Sequence, residues 1–331
     1  MIKIALDSYP FYLKKNIGPN IFLKRLTTEL QNYDCKVTSR FNPFYDIALF
    51  AIKNKSFYKK PYVIRIGGIF FDRNNTKFNT LKENKIIFEG IRNSSGVIFI
   101  SEFTKKLTQK FYKNFDKPNI VIHNSVPLSS FNPRGFNKRN ELNIKSNDFV
   151  VLVSGTWRRH KRLKEIIIFF KRISKKYQNL KLLILGSVNE REKIKDNNIL
   201  YAGNINFKSL PDWYRTGNLY IHLPWIDQNA NTHVEATACG LPSICSNNGG
   251  NKEIIEVCNS GIVSNVDKEY NYELIDFYNP PEPNYNILEK DFDKIYNNYE
   301  KFKSKIKFEP ISMRHAAKKY LEFLNEINNF K

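Results

Sequence analysis

The chain opens with a short apolar run, IKIALDS, then a loop containing Gly18-Pro19, then NIFLKRLTTELQNY with apolar residues at helical spacing. Strand, glycine turn and helix in that order predict the start of an α/β domain. The runs YDIALFAI, PYVIRIGG, SGVIFIS and NIVIHNS are short and apolar on both faces, as strands of a buried parallel sheet are. A helical EFTKKLTQKFYKNF lies between the last two. Residues 127–148 lose periodicity and gain Pro, Gly, Asn and charge, the signature of a linker. The alternation then restarts with strand FVVLVSG, helix LKEIIIFFKRISKKY, strands LKLLILGS and NILYAGN, helix SLPDWYRTG and strand LYIHLP. Helix HVEATACG, strand PSICSN, helix NKEIIEVC and strand SGIVSN complete it, and two amphipathic segments follow NPPEPN. The fold class is therefore α/β, with two doubly wound Rossmann-like domains at 1–135 and 136–305. Residues 306–331 are expected as a C-terminal helix returning to the first domain.

At 331 residues with 41% hydrophobic side chains, including 26 Phe and 18 Tyr, the chain buries two sizeable cores. The balance of 53 Lys and Arg against 32 Asp and Glu leaves a net charge of +21. Such a field attracts anions: nucleic acid, membrane headgroups or phosphorylated metabolites. Lys and Asn are spread along the whole chain, so a Lys-rich solvated surface reflecting composition alone stands as the alternative. Cys35, Cys239, Cys245 and Cys258 form no C-x-x-C pair and read as reduced buried thiols, not as a zinc site or disulfide framework. Apolar runs such as VIFI and IIIFF fall well short of the roughly 18 residues of a membrane span. A cytoplasmic protein is expected, with peripheral contact with an anionic membrane.

In open parallel sheets ligands bind beyond the carboxyl ends of the strands, so the strand-to-helix turns are the places to search. In SGTWRRHKRLKE, Gly155 permits close backbone approach, while Arg158, Arg159, Lys161 and Arg162 crowd cations at a helix N-terminus. A diphosphate suits that turn; a solvated basic loop is the plainer reading. In NANTHVEATACGLPSICSNNGG a single acid, Glu235, sits on a helix otherwise made of small or apolar residues. Asn229, Asn231 and Thr232 are capping types, and Glu235 lies one turn in, placed to accept from vicinal sugar or ribose hydroxyls. Gly18, and the group Arg65, Gly67, Gly68 and Asp72 in RIGGIFFD, mark two weaker turns, the latter equally readable as an Arg65–Asp72 ion pair. His222 reads as a core histidine, while His160 and His233 lie within the two better turns. No G-x-S-x-G, H-E-x-x-H, Walker loop or G-x-G-x-x-G occurs.

Taken together, the two α/β domains, the linker, the cations of 155–162 and HVEATACGLPSICSNNGGNKEII resemble the retaining glycosyltransferases of the GT-B fold, family 4 in particular. GVIFISEFTKKL, VIHNSVPLSSFNP, PDWYRTGNLYIHLPW and GPNIFLKRL are similar to further family segments, so the resemblance covers most of the chain. It implies two domains facing a cleft. It also implies that Gly155 and Lys161 bind the donor diphosphate, with Arg158 or Arg159 standing in for a family arginine where this chain has Thr156. In the family's Glu, seven residues, Glu pattern, Glu235 matches the acid on the donor ribose, and Asp227 replaces the acid on the donor sugar. His233 joins the donor-binding set, and Gly18, Arg65, Gly68 and Asp72 belong to the acceptor side or cleft. RIGGIFFD lacks the histidine that many members place there.

The resemblance implies a metal-independent transfer of a sugar from a nucleotide diphosphate donor to an acceptor hydroxyl, with retention. Lys161, Arg158 and Asp227 are the catalytic candidates. The nucleotide sugar is a co-substrate, with no cofactor or metal, and the acceptor is a glycan, glycolipid or protein-linked group. A GT-B phosphorylase or synthase, a catalytically silent nucleotide-sugar binder and a basic nucleic-acid-binding protein are the competing readings, although no zinc finger or RNP signature supports the last.

Overall fold

A computed structural model describes residues 1–6, 18–39, 41–51, 60–74, 80–113 and 115–329. Within them the chain divides into two compact units, Met1–Pro127 with Asn271–Asp276 and Pro310–Lys331, and Leu128–Tyr270 with Phe277–Glu309. The break after Pro127 falls earlier than the one expected at 135/136, and residues 271–276 return to the first unit. Backbone pairing explains that return: Arg73 N donates to Ile275 O (2.7 Å) and Ile275 N to Phe71 O (3.1 Å).

The first unit contains β1 (Ile2–Leu6), α1 (Gly18–Leu30), β2 (Cys35–Ser39), β3 (Ile47–Ala51), β4 (Tyr62–Ile66), α2 (Thr80–Arg92), β5 (Gly96–Phe99), α3 (Glu102–Phe111) and β6 (Asn119–Val121). Its sheet runs β2-β1-β3-β4-β5-β6, every neighbour parallel. The periodic C-terminal segment forms α10 (Met313–Asn329). Tyr320 and Leu324 of α10 join Phe22 and Leu26 of α1 in a core over Ile4, Leu49 and Val63 of the sheet. The apolar stripe of α10 has no other place to go than this sheet face, so the helix belongs to the first unit.

Arg65, on β4, is 2% exposed and does not meet Asp72. Its Nε donates to Tyr320 Oη at 3.0 Å, its Nη2 to Asn124 Oδ1 at 2.5 Å, and its guanidinium lies 4.2 Å from the Phe22 ring centre. Arg65 thereby ties α10 to the sheet. Tyr320→Phe keeps the ring and strands the buried Nε donor, and is expected to destabilise the protein by about 2 kcal/mol in denaturant unfolding. Unchanged stability would show that this bond carries no weight.

The second unit contains β7 (Phe149–Ser154), α4 (Leu163–Ile173), β8 (Leu180–Leu185), β9 (Ile199–Gly203), α5 (Leu210–Tyr214), β10 (Leu219–His222), α6 (Asn231–Ala238), β11 (Ser243–Ser246), α7 (Asn251–Cys258), β12 (Gly261–Ser264), α8 (Tyr285–Asn297) and α9 (Tyr299–Ser304). Its parallel sheet runs β12-β11-β10-β7-β8-β9. Counted from its own first strand, this is the 3-2-1-4-5-6 order of dinucleotide-binding sheets. The strand order reverses between β7 and β10, the switch point beyond which sheets of this order bind their ligands. Among the described residues no helix is long and apolar enough to cross a membrane.

Candidate functional site

The two turns singled out by sequence leave β7 and β10, the neighbouring strands at the switch point of the second sheet. After β7, residues Arg159–Lys161 form one 3-10 turn before α4. After β10, residues 223–230 lead to α6. Trp225 N donates to His160 O at 3.0 Å, tying the two loops together through their backbones. Their side chains meet as well: Lys161 Nζ forms an ion pair with Asp227 Oδ2.

The other cations of the first turn go elsewhere, so they do not form one cluster. Arg162 is fully buried at φ +58° and donates to Asp267 Oδ2 (2.8 Å), Asp267 Oδ1 (2.6 Å) and Pro281 O (2.8 Å), which makes it a structural group. Arg159 Nη1 pairs with Glu165 at 2.7 Å. Together with exposed Arg158, Trp157, Lys164 and Glu192, Arg159 lines a cavity of about 390 Å³ on the flank of α4. Lys161 alone of the four is directed at Asp227. His160 is buried against the Phe277 ring at 4.2 Å; burial and the neighbouring Lys161 push its imidazole down to about 3, so it is neutral at pH 7.

A Cβ on Gly155 would meet nothing closer than the Trp157 ring at 3.9 Å, so the tight spot of this turn is not Gly155. It is Gly186, after β8, where a Cβ would lie 2.0 Å from Gly155 O. Trp157 Nε1 donates to Leu185 O at 3.1 Å in the same layer.

The loop carrying Asp227 is clamped by the turn into α7. Asp227 and Gly249 form an isolated parallel bridge, and Gly250 N donates to Asp227 O at 2.8 Å. Asn251 Oδ1 accepts from Ala230 N at 2.9 Å. Burial raises the pKa of Asp227, but Lys161 and then His222 outweigh it and keep the carboxyl well below the ordinary carboxylate range. His222 Nε2 lies 3.5 Å from Asp227 Oδ2, so the residue read from sequence as a core histidine borders the site.

α6 starts at Asn231, two residues before the HVEATACG read from sequence. Its N-cap is Ala230, with no side-chain cap bond, so none of Asn229, Asn231 and Thr232 caps it. Asn229 is buried, and Asn231 and Thr232 are half-buried on the first turn. His233 is fully buried and turned into the sheet, its Nε2 2.8 Å from Ser243 Oγ, which removes it from any donor-facing surface. Burial and then His222 push its imidazole down to about 3. Glu235 is 4% exposed, and its Oε2 accepts from Tyr214 Oη at 3.1 Å. That Tyr214 oxygen is also 3.3 Å from Ser154 Oγ, at the end of β7. Burial and the adjacent Glu235 raise the Tyr214 phenol well above its usual value, keeping it a donor.

Lys161, Asp227 and Glu235 thus converge on loops and a helix at one switch point of one unit. Gly18, Arg65, Gly68 and Asp72 belong to the other unit. Gly18 is the first residue of α1, and the turn before it lies outside the described residues. Gly68 sits at φ +148°, and Asp72 is buried, its Oδ1 accepting from Asn74 N at 3.2 Å. Sequence reasoning missed Tyr214, Gly186 and Gly249; the last stood in plain view as the Gly-Gly pair of NNGGN.

Residues 136–287 match the family described as glycosyl transferases group 1. Protein CapJ of Staphylococcus aureus is 24% identical over 210 residues, 59% of this chain and 51% of that protein. The chain spans about half the length of the curated relatives it matches. Among solved structures, sucrose-phosphate synthase from Thermosynechococcus elongatus superposes with a TM-score of 0.67 at 13% identity, covering 99% of this chain and 96% of that one. Anabaena HepE in complex with UDP and glucose superposes with a TM-score of 0.64 at 14% identity, covering 98% and 99%. At such identities the structural likeness is one of fold, and the two parallel six-stranded sheets have the fold of these proteins. The chain therefore has a GT-B fold, and its residues 136–287 match the family model of the glycosyl transferases group 1.

Proposed function

We propose that the protein is a retaining, metal-independent glycosyltransferase that moves a hexose from a nucleotide diphosphate sugar to an acceptor hydroxyl of a glycan, glycolipid or protein-linked group. The observation that carries this reading is the meeting of Lys161 and Asp227 across the switch point, with Glu235 one turn into the helix that follows the Asp227 loop. Lys161 is the cation for the diphosphate, Asp227 the acceptor for a donor-sugar hydroxyl, and Glu235 the acid for the ribose. Arg158, exposed on the same turn at the flank of α4, is the second cation for the leaving group once its side chain turns toward the diphosphate. Because HepE binds UDP and glucose, a UDP-sugar is the first donor to try. The +21 charge favours acceptors at anionic surfaces, including membranes.

In this reading the acceptor hydroxyl attacks the anomeric carbon on the face from which the diphosphate departs. The bond from that carbon to the diphosphate oxygen breaks, and the same oxygen group takes the proton of the incoming hydroxyl. The products are the glycosylated acceptor and a protonated nucleoside diphosphate. No protein nucleophile is needed. Lys161 and Arg158 stabilise the charge growing on the leaving group, an interaction worth about 3–4 kcal/mol for one preorganised donor.

The test is a thermal-shift panel of UDP-, GDP- and ADP-sugars followed by turnover of the donor that binds. A ligand at 100 times its dissociation constant adds about 2.7 kcal/mol of stability. Lys161→Ala is expected to weaken donor binding and lower turnover about 100-fold, and to lower the melting temperature of the free protein because the Asp227 carboxylate loses its ion pair. Turnover is expected to survive a metal chelator; activity lost to it and restored by magnesium or manganese would refute metal independence. Binding without turnover of any donor would make the protein a silent nucleotide-sugar binder.

A further inference from the structure

We propose that His222 is the positioning residue for Asp227, the group that keeps this carboxylate aimed once Lys161 turns to a diphosphate. The inference rests on the reading of Asp227 as the acceptor for a donor-sugar hydroxyl. Asp227 is one methylene shorter than a glutamate, so its reach depends on how its carboxylate is directed. In the free protein two side chains face that carboxylate, Lys161 through an ion pair and His222 at 3.5 Å. A diphosphate competes with Asp227 for Lys161. When it wins, His222 is the partner that stays.

The ring of His222 is built into a column that prevents it from swinging away. It stacks on Tyr220 with centroids 6.0 Å apart at 22° and on His233 with centroids 5.4 Å apart at 16°. His233 is itself anchored to Ser243 Oγ. His222 Nδ1 lies 3.5 Å from Tyr220 Oη. A neutral imidazole with its proton on Nε2 directs an N–H at Asp227, and its Nδ1 faces Tyr220 Oη, whose proton also has an acceptor in Ser154 O at 3.3 Å. The 3.5 Å separation is longer than a good hydrogen bond, and departure of Lys161 leaves the carboxylate free to close it.

His222→Phe keeps the ring in the column and removes both nitrogens, whereas His222→Gln retains an amide donor at similar reach. With the sugar donor that turns over in the panel of UDP-, GDP- and ADP-sugars, His222→Phe is expected to lower kcat about tenfold while the Kd for the matching nucleoside diphosphate stays within about twofold. His222→Gln is expected to recover most of the loss, and in an Asp227→Asn background His222→Phe is expected to change kcat by less than about twofold. Nitrogen-15 spectra of the histidine rings supply a readout independent of turnover: the His222 resonances should report a neutral ring protonated on Nε2 and shift in Asp227→Asn. A folded His222→Phe variant with parental kcat, an equal loss in the Asp227→Asn background, or a ring protonated on Nδ1 overturns the proposal. If His222→Phe does not fold, His222→Gln and the spectra decide. Should Asp227→Asn transfer sugar at the parental rate while the spectra show the pairing, the sugar-holding role of Asp227 fails and the His222–Asp227 contact is structural, which also overturns the proposal.

Discussion

Asp227→Asn is expected to lower sugar transfer about 100-fold while nucleoside diphosphate binding stays unchanged or tightens. The substitution keeps the shape of the side chain and removes its charge. In the parent protein Lys161 is already paired with Asp227, so a diphosphate must break that pair before it gains the ammonium. Removing the carboxylate leaves Lys161 unpaired by Asp227 and spares that step. The sugar, in contrast, loses the acceptor that orients it, and misorientation at the reacting carbon is felt in kcat rather than in nucleotide affinity. Calorimetry with the nucleoside diphosphate and steady-state turnover separate the two effects. A variant that transfers at the parental rate would reduce Asp227 to a loop acid and pass its role to Asn229 or to backbone N–H groups near Asn231. A fall in nucleotide affinity parallel to turnover would show that Asp227 serves chiefly to hold Lys161 in place.

Gly249→Ala is expected to destabilise the second unit by about 3 kcal/mol and to lower the melting temperature by roughly 5–10 °C. Gly249 has φ +97°, a conformation that side-chain-bearing residues rarely adopt. A Cβ built there would lie 2.2 Å from Asp227 O and 2.8 Å from Asp227 N, both of them backbone atoms that cannot rotate away. The bridge between residues 227 and 249 must open, and the Gly250 N to Asp227 O bond goes with it. Asp227 is then displaced, so turnover should fall as well. Gly155→Ala is the control, since a Cβ there has room. Equal melting temperatures for Gly249→Ala and the parent would mean that the clamp is looser than its geometry implies.

The elements most legible in the sequence were those whose patterns are self-contained. The helix at Asn251–Cys258 was read to the residue from NKEIIEVC, and the strands of both sheets stood out as brief apolar runs between turn residues. β2, by contrast, escaped notice because it is an edge strand with half-buried residues and an alternation too weak to register. α2 was missed because TLKENKIIFEGIR mixes charged and apolar positions without a clear cap. The two turns of the candidate site were found because strand ends followed by glycine, cations or capping residues are unusual in composition. Lysine and arginine at 158, 159, 161 and 162 look alike as letters. Their separation into an exposed arginine, a Glu165 partner, an Asp227 partner and a buried Asp267 partner depends on the direction of each Cα–Cβ bond around one turn of 3-10 helix.

By itself the sequence determined that this is an α/β protein with two parallel sheets, because strand and helix periodicity are local properties carried by neighbouring residues. It also determined which strand-to-helix turns hold the charged and capping residues. Only the tertiary structure decided that Lys161 meets Asp227, that His222 stands beside that acid and that Glu235 is bonded to Tyr214. It likewise decided that Arg65 secures α10 instead of pairing with Asp72, and that His233 faces Ser243. Those contacts join residues from 5 positions apart, for His222 and Asp227, to 255, for Arg65 and Tyr320. They depend on strand order and on close backbone approach at Gly186 and Gly249, which no local pattern of side chains encodes.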